Sequence, residues 1–235
     1  MAIVRVLENA KGVCTELGNI IKQLCDDSSA EKYFKVGVSG GSLIKLLTDA
    51  LLENPDIDYA KWKIFFCDER LVPVDDSDST YGAYIQGFQG KVAIKPEQFV
   101  TIKQGLSADD AAKDYTQQME LYFTPGKLPV FDLLLLGMGP DGHTCSLFPG
   151  HPLLKECSKW VAPITDSPKP PPSRVTLTFP VINNAKACVF AMTGQGKAEM
   201  VKRILKDKEP LPAAIVQPKQ GKLFWILDQS AAELI

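Results

Sequence analysis

The chain has 235 residues, of which 45% are hydrophobic and 23% charged, with a formal net charge of −2. That composition suits a packed core and excludes disorder, and without a Lys/Arg-rich run it offers nothing to track a nucleic-acid backbone, so any anionic ligand must be met by local cations and backbone N–H groups. Six scattered cysteines without a CxxC pair and two histidines fit reduced thiols rather than a zinc finger, and the longest apolar run, residues 131–136, is far too short for a bilayer, so a cytoplasmic protein with no metal and no membrane partner is expected.

In chain order, Val13, Leu17, Ile20, Ile21 and Leu24 recur at the spacing of one helical stripe and predict a helix over 10–26. Residues 33–38 read as a short buried strand ending in Gly40 and Gly41, and helical spacing follows over 42–52. A second apolar strand, 62–67, leads into Asp68-Glu69-Arg70 and an acidic, aperiodic loop over 75–80. A helical segment is expected near 81–88. Ser107 with Asp110 makes a capping box for a helix through 123, which Pro125 and Gly126 end. Residues 131–136 form a near-continuous apolar run, the pattern of a strand covered on both faces of a parallel sheet. Beyond the proline-rich stretch 168–172, read as a surface loop, come strand-like segments at 174–179 and 187–192, a helix over 197–205 and a last strand over 223–227. The alternation implies an α/β fold: a single Rossmann-like, wound, mostly parallel sheet flanked by helices, with residues 1–235 as one domain.

Four polar or glycine-rich clusters directly follow predicted strands: SGGS at 39–42, DER at 68–70, GMGPDGH at 137–143 and TGQGK at 193–197. In open parallel sheets the carboxyl ends of the strands share one edge, so such turns can converge on one crevice. Gly40, Gly41 and Ser42 let the backbone and the following helix N-terminus approach an anion. His143 lies in a glycine-bent loop two positions after Asp141, a setting that suits an oriented general base. Arg70 can fork onto a phosphate or a developing oxyanion. Lys197 sits at the start of a helix, the wrong end for a cation unless an anion lies beside it. His151 has no comparable setting, and neither a Cys145 nucleophile nor a zinc site from Asp141, His143 and Cys145 has the spacing to support it.

Taken together, the SGGS loop, DER, GMGPDGHTCSLFPG and RVTLTFP, in this order between residues 38 and 198, resemble the 6-phosphogluconolactonase family. The resemblance implies hydrolysis of a small phosphorylated sugar lactone without a cofactor, with His143 activating water and Asp141 orienting it. It further implies that Arg70, Arg174 and Lys197, with Gly40, Gly41 and Ser42, hold phosphate or stabilise the oxyanion, with Asp68 and Lys45 as lesser members. It carries no expectation beyond a monomer or weak homodimer. Many relatives read SGGSTPK where this chain has Leu43 and Ile44, so a hydroxyl at position 43 is lost while backbone contacts survive. Glucosamine-6-phosphate deaminases, which share the glycine loop and DGH, continue GHxAFNEP and so supply a glutamate; residues 144–150 here contain no acid. A sugar-phosphate sensor would need an output module, of which no helix-turn-helix or spare segment is evident.

Overall fold

The computed structural model describes residues 2–28 and 32–235. Its strands are β1 (Ile3–Leu7), β2 (Phe34–Val38), β3 (Trp62–Phe66), β4 (Asp68–Arg70), β5 (Phe99–Val100), β6 (Leu133–Leu136), β7 (Val161–Ile164), β8 (Arg174–Leu177), β9 (Ala187–Met192) and β10 (Lys222–Asp228). The helices are α1 (Ala10–Asp27), α2 (Leu43–Glu53), α3 (Thr80–Phe88), α4 (Ala108–Glu120), α5 (Phe179–Ile182), α6 (Ala198–Leu205) and α7 (Pro212–Ile215). Seven strands pair in the order β1-β10-β9-β6-β2-β3-β5, every neighbour parallel. The remaining three form a small antiparallel sheet, β4-β8-β7.

The apolar strand pattern has a direct cause. Along β6, Leu133 and Leu135 join the hydrophobic cluster under α1, α2 and α3, whereas Leu134 and Leu136 join the cluster on the opposite face, which includes residues of α4, α6 and the small sheet. Because successive side chains on a strand point to opposite faces, a strand covered on both sides must be apolar at every position. β9 is built the same way, with Val189 and Ala191 on one face and Phe190 and Met192 on the other.

Helix ends follow local capping chemistry. Asn9 accepts from the Gly12 N–H at the start of α1, Ser79 from Gly82 at the start of α3 and Ser107 from Asp110 at the start of α4, each satisfying a donor that the helix itself leaves unpaired. Among the described residues no helix is long and apolar enough to cross a membrane.

Most expected elements occur, with boundary shifts of one to three residues. The main correction concerns 174–179: β8 does not belong to the wound sheet but pairs antiparallel with β4 and β7, and Phe179 already starts α5. Besides the charged triplet β4 and the two-residue β5, two further strands were not expected from the sequence. β1 is a sheet edge whose residues are largely exposed, and β7 contains Pro163, which a sheet tolerates at an edge where one row of N–H groups has no partner to serve.

β2 lies between β3 and β6, and Gly37 at its centre makes room for Leu134: a Cβ built there would collide with Leu134 Cδ2 and come within 3.2 Å of Cys67 Sγ. Gly37→Ala should therefore destabilise the protein by about 1–3 kcal/mol, read as a lower midpoint in urea unfolding with an unchanged slope.

Candidate active site

The chain winds outward from β2 through β3 to β5, then returns to place β6 on the other side of β2, followed outward by β9 and β10. The strand order therefore reverses between β2 and β6, and the crevice outside the carboxyl ends of the strands at such a point is the ordinary ligand position of open α/β sheets. A cleft of about 180 Å³ opens there. Its walls are the 39–42 turn after β2, Asp68 and Arg70 after β3, the 137–143 loop after β6 and Lys197 after β9.

The 137–143 loop closes on itself through Gly139 N–H to His143 O at 2.9 Å and Gly142 N–H to Gly139 O at 3.0 Å. This fold-back seats the imidazole on the Gly139 Cα, where any Cβ would collide with His143 Nδ1 and Cε1 and lie 2.8 Å from Asp141 Oδ1. His143 Nδ1 is 2.5 Å from Asp141 Oδ1, and the ring packs against Phe148 at 4.8 Å between centroids. Lys169, from the loop between β7 and β8, places its ammonium 3.1 Å from the same carboxylate oxygen and 3.2 Å from His143 Nδ1.

The electrostatics fix the tautomer. Burial opposes ionisation of Asp141, but hydrogen bonds and charge from His143 and Lys169 outweigh it and hold the carboxyl down at about 2. An ionised carboxylate can only accept, so Nδ1 carries the hydrogen and Nε2 keeps its lone pair. For His143, burial lowers the pKa from its ordinary value, Asp141 pulls it back up, and the Lys169 charge lowers it again. The imidazole is thus held neutral near pH 7 at the cleft wall, the state a general base requires.

The cations are held by fixed acceptors. Arg70 donates through one terminal nitrogen to Asp78 O at 3.1 Å, while its buried Nε lies 4.0 Å from Asp68 Oδ2 and has no hydrogen-bond partner among the described residues. Asp68 is itself buried and accepts from Ser146 Oγ at 2.7 Å, which ties β4 to the chain just after His143. Lys197 donates to Met138 O at 2.7 Å, and burial lowers its pKa, with the nearby Lys169 charge acting in the same direction. On another wall Ser42 begins α2 without a side-chain cap and Gly41 has φ +73°, so the start of that helix lies at the cleft lining. Ser39 Oγ is buried beside them without a partner among the described residues.

Two residues expected at the site lie elsewhere. Lys45 is largely exposed one turn into α2 and pairs with Asp49, because a residue three positions past the turn has rotated onto the outer helix face. Arg174 is 2% exposed and its guanidinium is spent on Pro171 O, Lys169 O and Pro170 O, each at 2.9 Å, so it secures the proline-rich loop rather than lining the cleft. Three residues carried no signal in the sequence reading: Lys169, in a loop read as surface; Ser146, inside the loop motif but without an assigned role; and Glu69, the middle of DER. Glu69 is buried, accepts from the backbone N–H groups of Arg70, Thr80 and Tyr81, and so fixes the start of α3. The Cys67 thiol and burial push the Cys145 thiol well above its usual value, so it is not a thiolate nucleophile.

The structure is an α/β protein of the wound parallel-sheet class, with a crevice at its strand reversal lined by Arg70, Lys197 and a histidine paired to Asp141. The family model for glucosamine-6-phosphate isomerases/6-phosphogluconolactonase matches residues 8–225. The chain is 50% identical over 232 residues to a human protein named 6-phosphogluconolactonase, covering 94% of this chain and 90% of that one. It is 46% identical over 224 residues to a probable 6-phosphogluconolactonase of Drosophila melanogaster, covering 93% and 89%. Among solved structures, the 6-phosphogluconolactonase from Trypanosoma cruzi superposes with a TM-score of 0.86 at 27% identity, covering 99% of this chain and 96% of that one. The chain belongs to the glucosamine-6-phosphate isomerase/6-phosphogluconolactonase family.

Because Asp141 is what pulls the His143 pKa upward against burial, Asp141→Asn should make His143 titrate at lower pH than in the wild type. The protein has two histidines, so proton NMR of the imidazole resonances reads this directly; a rise instead would contradict the assigned balance.

Proposed function

We propose that the protein hydrolyses 6-phospho-D-glucono-1,5-lactone to 6-phosphogluconate, the lactone-opening step of the oxidative pentose phosphate pathway in the cytoplasm, with His143 as the general base. The single observation that carries this reading is the short Asp141–His143 contact, which leaves a neutral imidazole nitrogen at a cleft also lined by Arg70, Lys197 and the Gly40–Gly41–Ser42 turn. The names of the relatives agree with it.

In this mechanism Nε2 of His143 removes a proton from a water as its oxygen attacks the lactone carbonyl carbon. Arg70, Lys197 and the N–H groups of the 40–42 turn between them hold the phosphate and the charge that develops on the carbonyl oxygen. Collapse of the tetrahedral intermediate breaks the bond between that carbon and the ring oxygen, and the imidazolium returns its proton to the departing alkoxide. The leaving group stays tethered to the product, and a strained cyclic ester needs no covalent enzyme intermediate. A positioned base supplies about 10² to 10⁴ in rate and one oxyanion donor about 10² to 10³, enough to drive this reaction without a Ser-His-Asp triad.

His143→Asn should lower kcat by about two to four decades with little change in the affinity for 6-phosphogluconate; unchanged turnover in a lactone-hydrolysis assay would reject the base. Arg70→Ala and Lys197→Ala should each weaken 6-phosphogluconate binding by about tenfold or more, as expected when a charge-assisted hydrogen bond is removed. Calorimetric titration measures this, and undiminished affinity would take that residue out of the anion site.

A further inference from the structure

Lys169 stands apart from the other cations of the site, because it does not line the cleft and yet touches both members of the Asp141–His143 pair. Its backbone is held from two directions. The Arg174 guanidinium gathers the carbonyl oxygens of Lys169, Pro170 and Pro171, and Ser167 Oγ donates to Lys169 O at 2.8 Å and accepts from Lys169 N–H at 3.2 Å. A side chain that enters from a surface loop is therefore delivered to the pair from a fixed starting point, and the burial of Arg174 acquires a purpose.

Building on the proposed lactonase reading, we infer that Lys169 is a positioning residue: its ammonium clamps Asp141 against His143 and keeps the imidazole in the neutral form with Nε2 free. An ammonium is a donor only, so at Asp141 Oδ1 it strengthens the hold on a carboxylate that is 37% exposed and could otherwise turn toward water. At 3.2 Å from Nδ1, its charge opposes a second proton on the ring. The charged groups around the imidazole come from five segments of the chain. Asp141 sits on the same loop and Asp68 comes from β4, and both favour the imidazolium; Lys169 comes from the loop before β8 and opposes it. Arg70 on β4 and Lys197 after β9 line the same cleft, and Arg174 on β8 packs over Phe148, which carries the ring. Of these cations Lys169 alone makes direct contact with the pair among the described residues, so its loss tilts the balance toward the two carboxylates.

The test is steady-state lactone hydrolysis by the full chain, corrected for the spontaneous reaction, between about pH 5.5 and 8, the range in which a histidine base titrates, for the wild type, Lys169→Met, Lys169→Arg and His143→Asn. Lys169→Met should lower kcat about 3- to 30-fold near pH 6 and less near pH 8, moving the acid limb of kcat to higher pH by about half a unit or more. KM should stay within about twofold, because the residue does not line the cleft, and Lys169→Arg should restore most of the rate. An acid limb that stays in place or moves to lower pH, or a loss uniform across pH that Arg does not rescue, overturns the inference. Normal turnover in His143→Asn would remove the base reading and this inference together. A collapsed His143→Asn with an unmoved limb in Lys169→Met would remove this inference alone.

Discussion

The reversal of strand order between β2 and β6 is the constraint on which the site depends. A parallel strand must end at the same edge as its neighbours, and the chain must then leave the sheet over one face or the other. At most strand pairs consecutive connections leave on the same side and cover that edge. Where the winding direction changes, the connection after β2 turns into α2 under one face and the loop after β6 runs across the other, so the edge between them stays open. The core supports this by having no choice of register. β2, β6 and β9 are buried on both sides, and a slip of one residue would exchange the side chains of the two faces, including the Gly37 gap that accepts Leu134.

On this scaffold the site is built from groups that are already held. Lys197 is fixed to Met138 O, Arg70 to Asp78 O, Asp68 to Ser146 and His143 to Asp141. Fixed donors that do not have to reorient as charge develops are the main source of electrostatic catalysis, since the reorganisation that water would require has been completed during folding. A chain with a net charge of −2 thereby presents a locally cationic crevice. Global charge was silent on this point because the effect rests on a few side chains and backbone dipoles brought within contact range.

The wound sheet was readable from the sequence because doubly covered strands such as Leu133–Leu136 and Ala187–Met192 must be apolar throughout and are followed at once by glycine or a polar turn. The histidine was readable because three glycines surround it, and the structure shows one reason, the contact between Gly139 and the ring. The small antiparallel sheet was readable only at β8, within the strand-like segment 174–179. Its other two strands are three and four residues long, one the charged triplet Asp68–Arg70 and the other containing a proline, so neither periodicity nor composition marks them. Lys169 and Lys45 show the same limit at the level of single side chains. Proximity to a motif in sequence suggested Lys45, which lies on the outer helix face, while a lysine in a proline-rich loop that Arg174 holds reaches the Asp141–His143 pair.

Arg174 illustrates why a motif residue can matter without touching a ligand. The antiparallel register sets it directly opposite Arg70, an arrangement of like charges that is unfavourable by itself. Burial, and then the neighbouring Arg70 charge, lower the pKa of Arg174, while Asp68 and Asp78 partly offset them. The loop carbonyls that accept from its Nε and Nη2, and the Ser146 hydroxyl 3.5 Å from its Nη1, are neutral and do not cancel its charge. The result is a buried positive charge that its neighbours compensate only in part, set across the small sheet from Arg70 at the cleft wall. The same guanidinium that holds the loop carrying Lys169 is also set opposite Arg70, so one buried side chain meets both that loop and the charged triplet Asp68–Arg70.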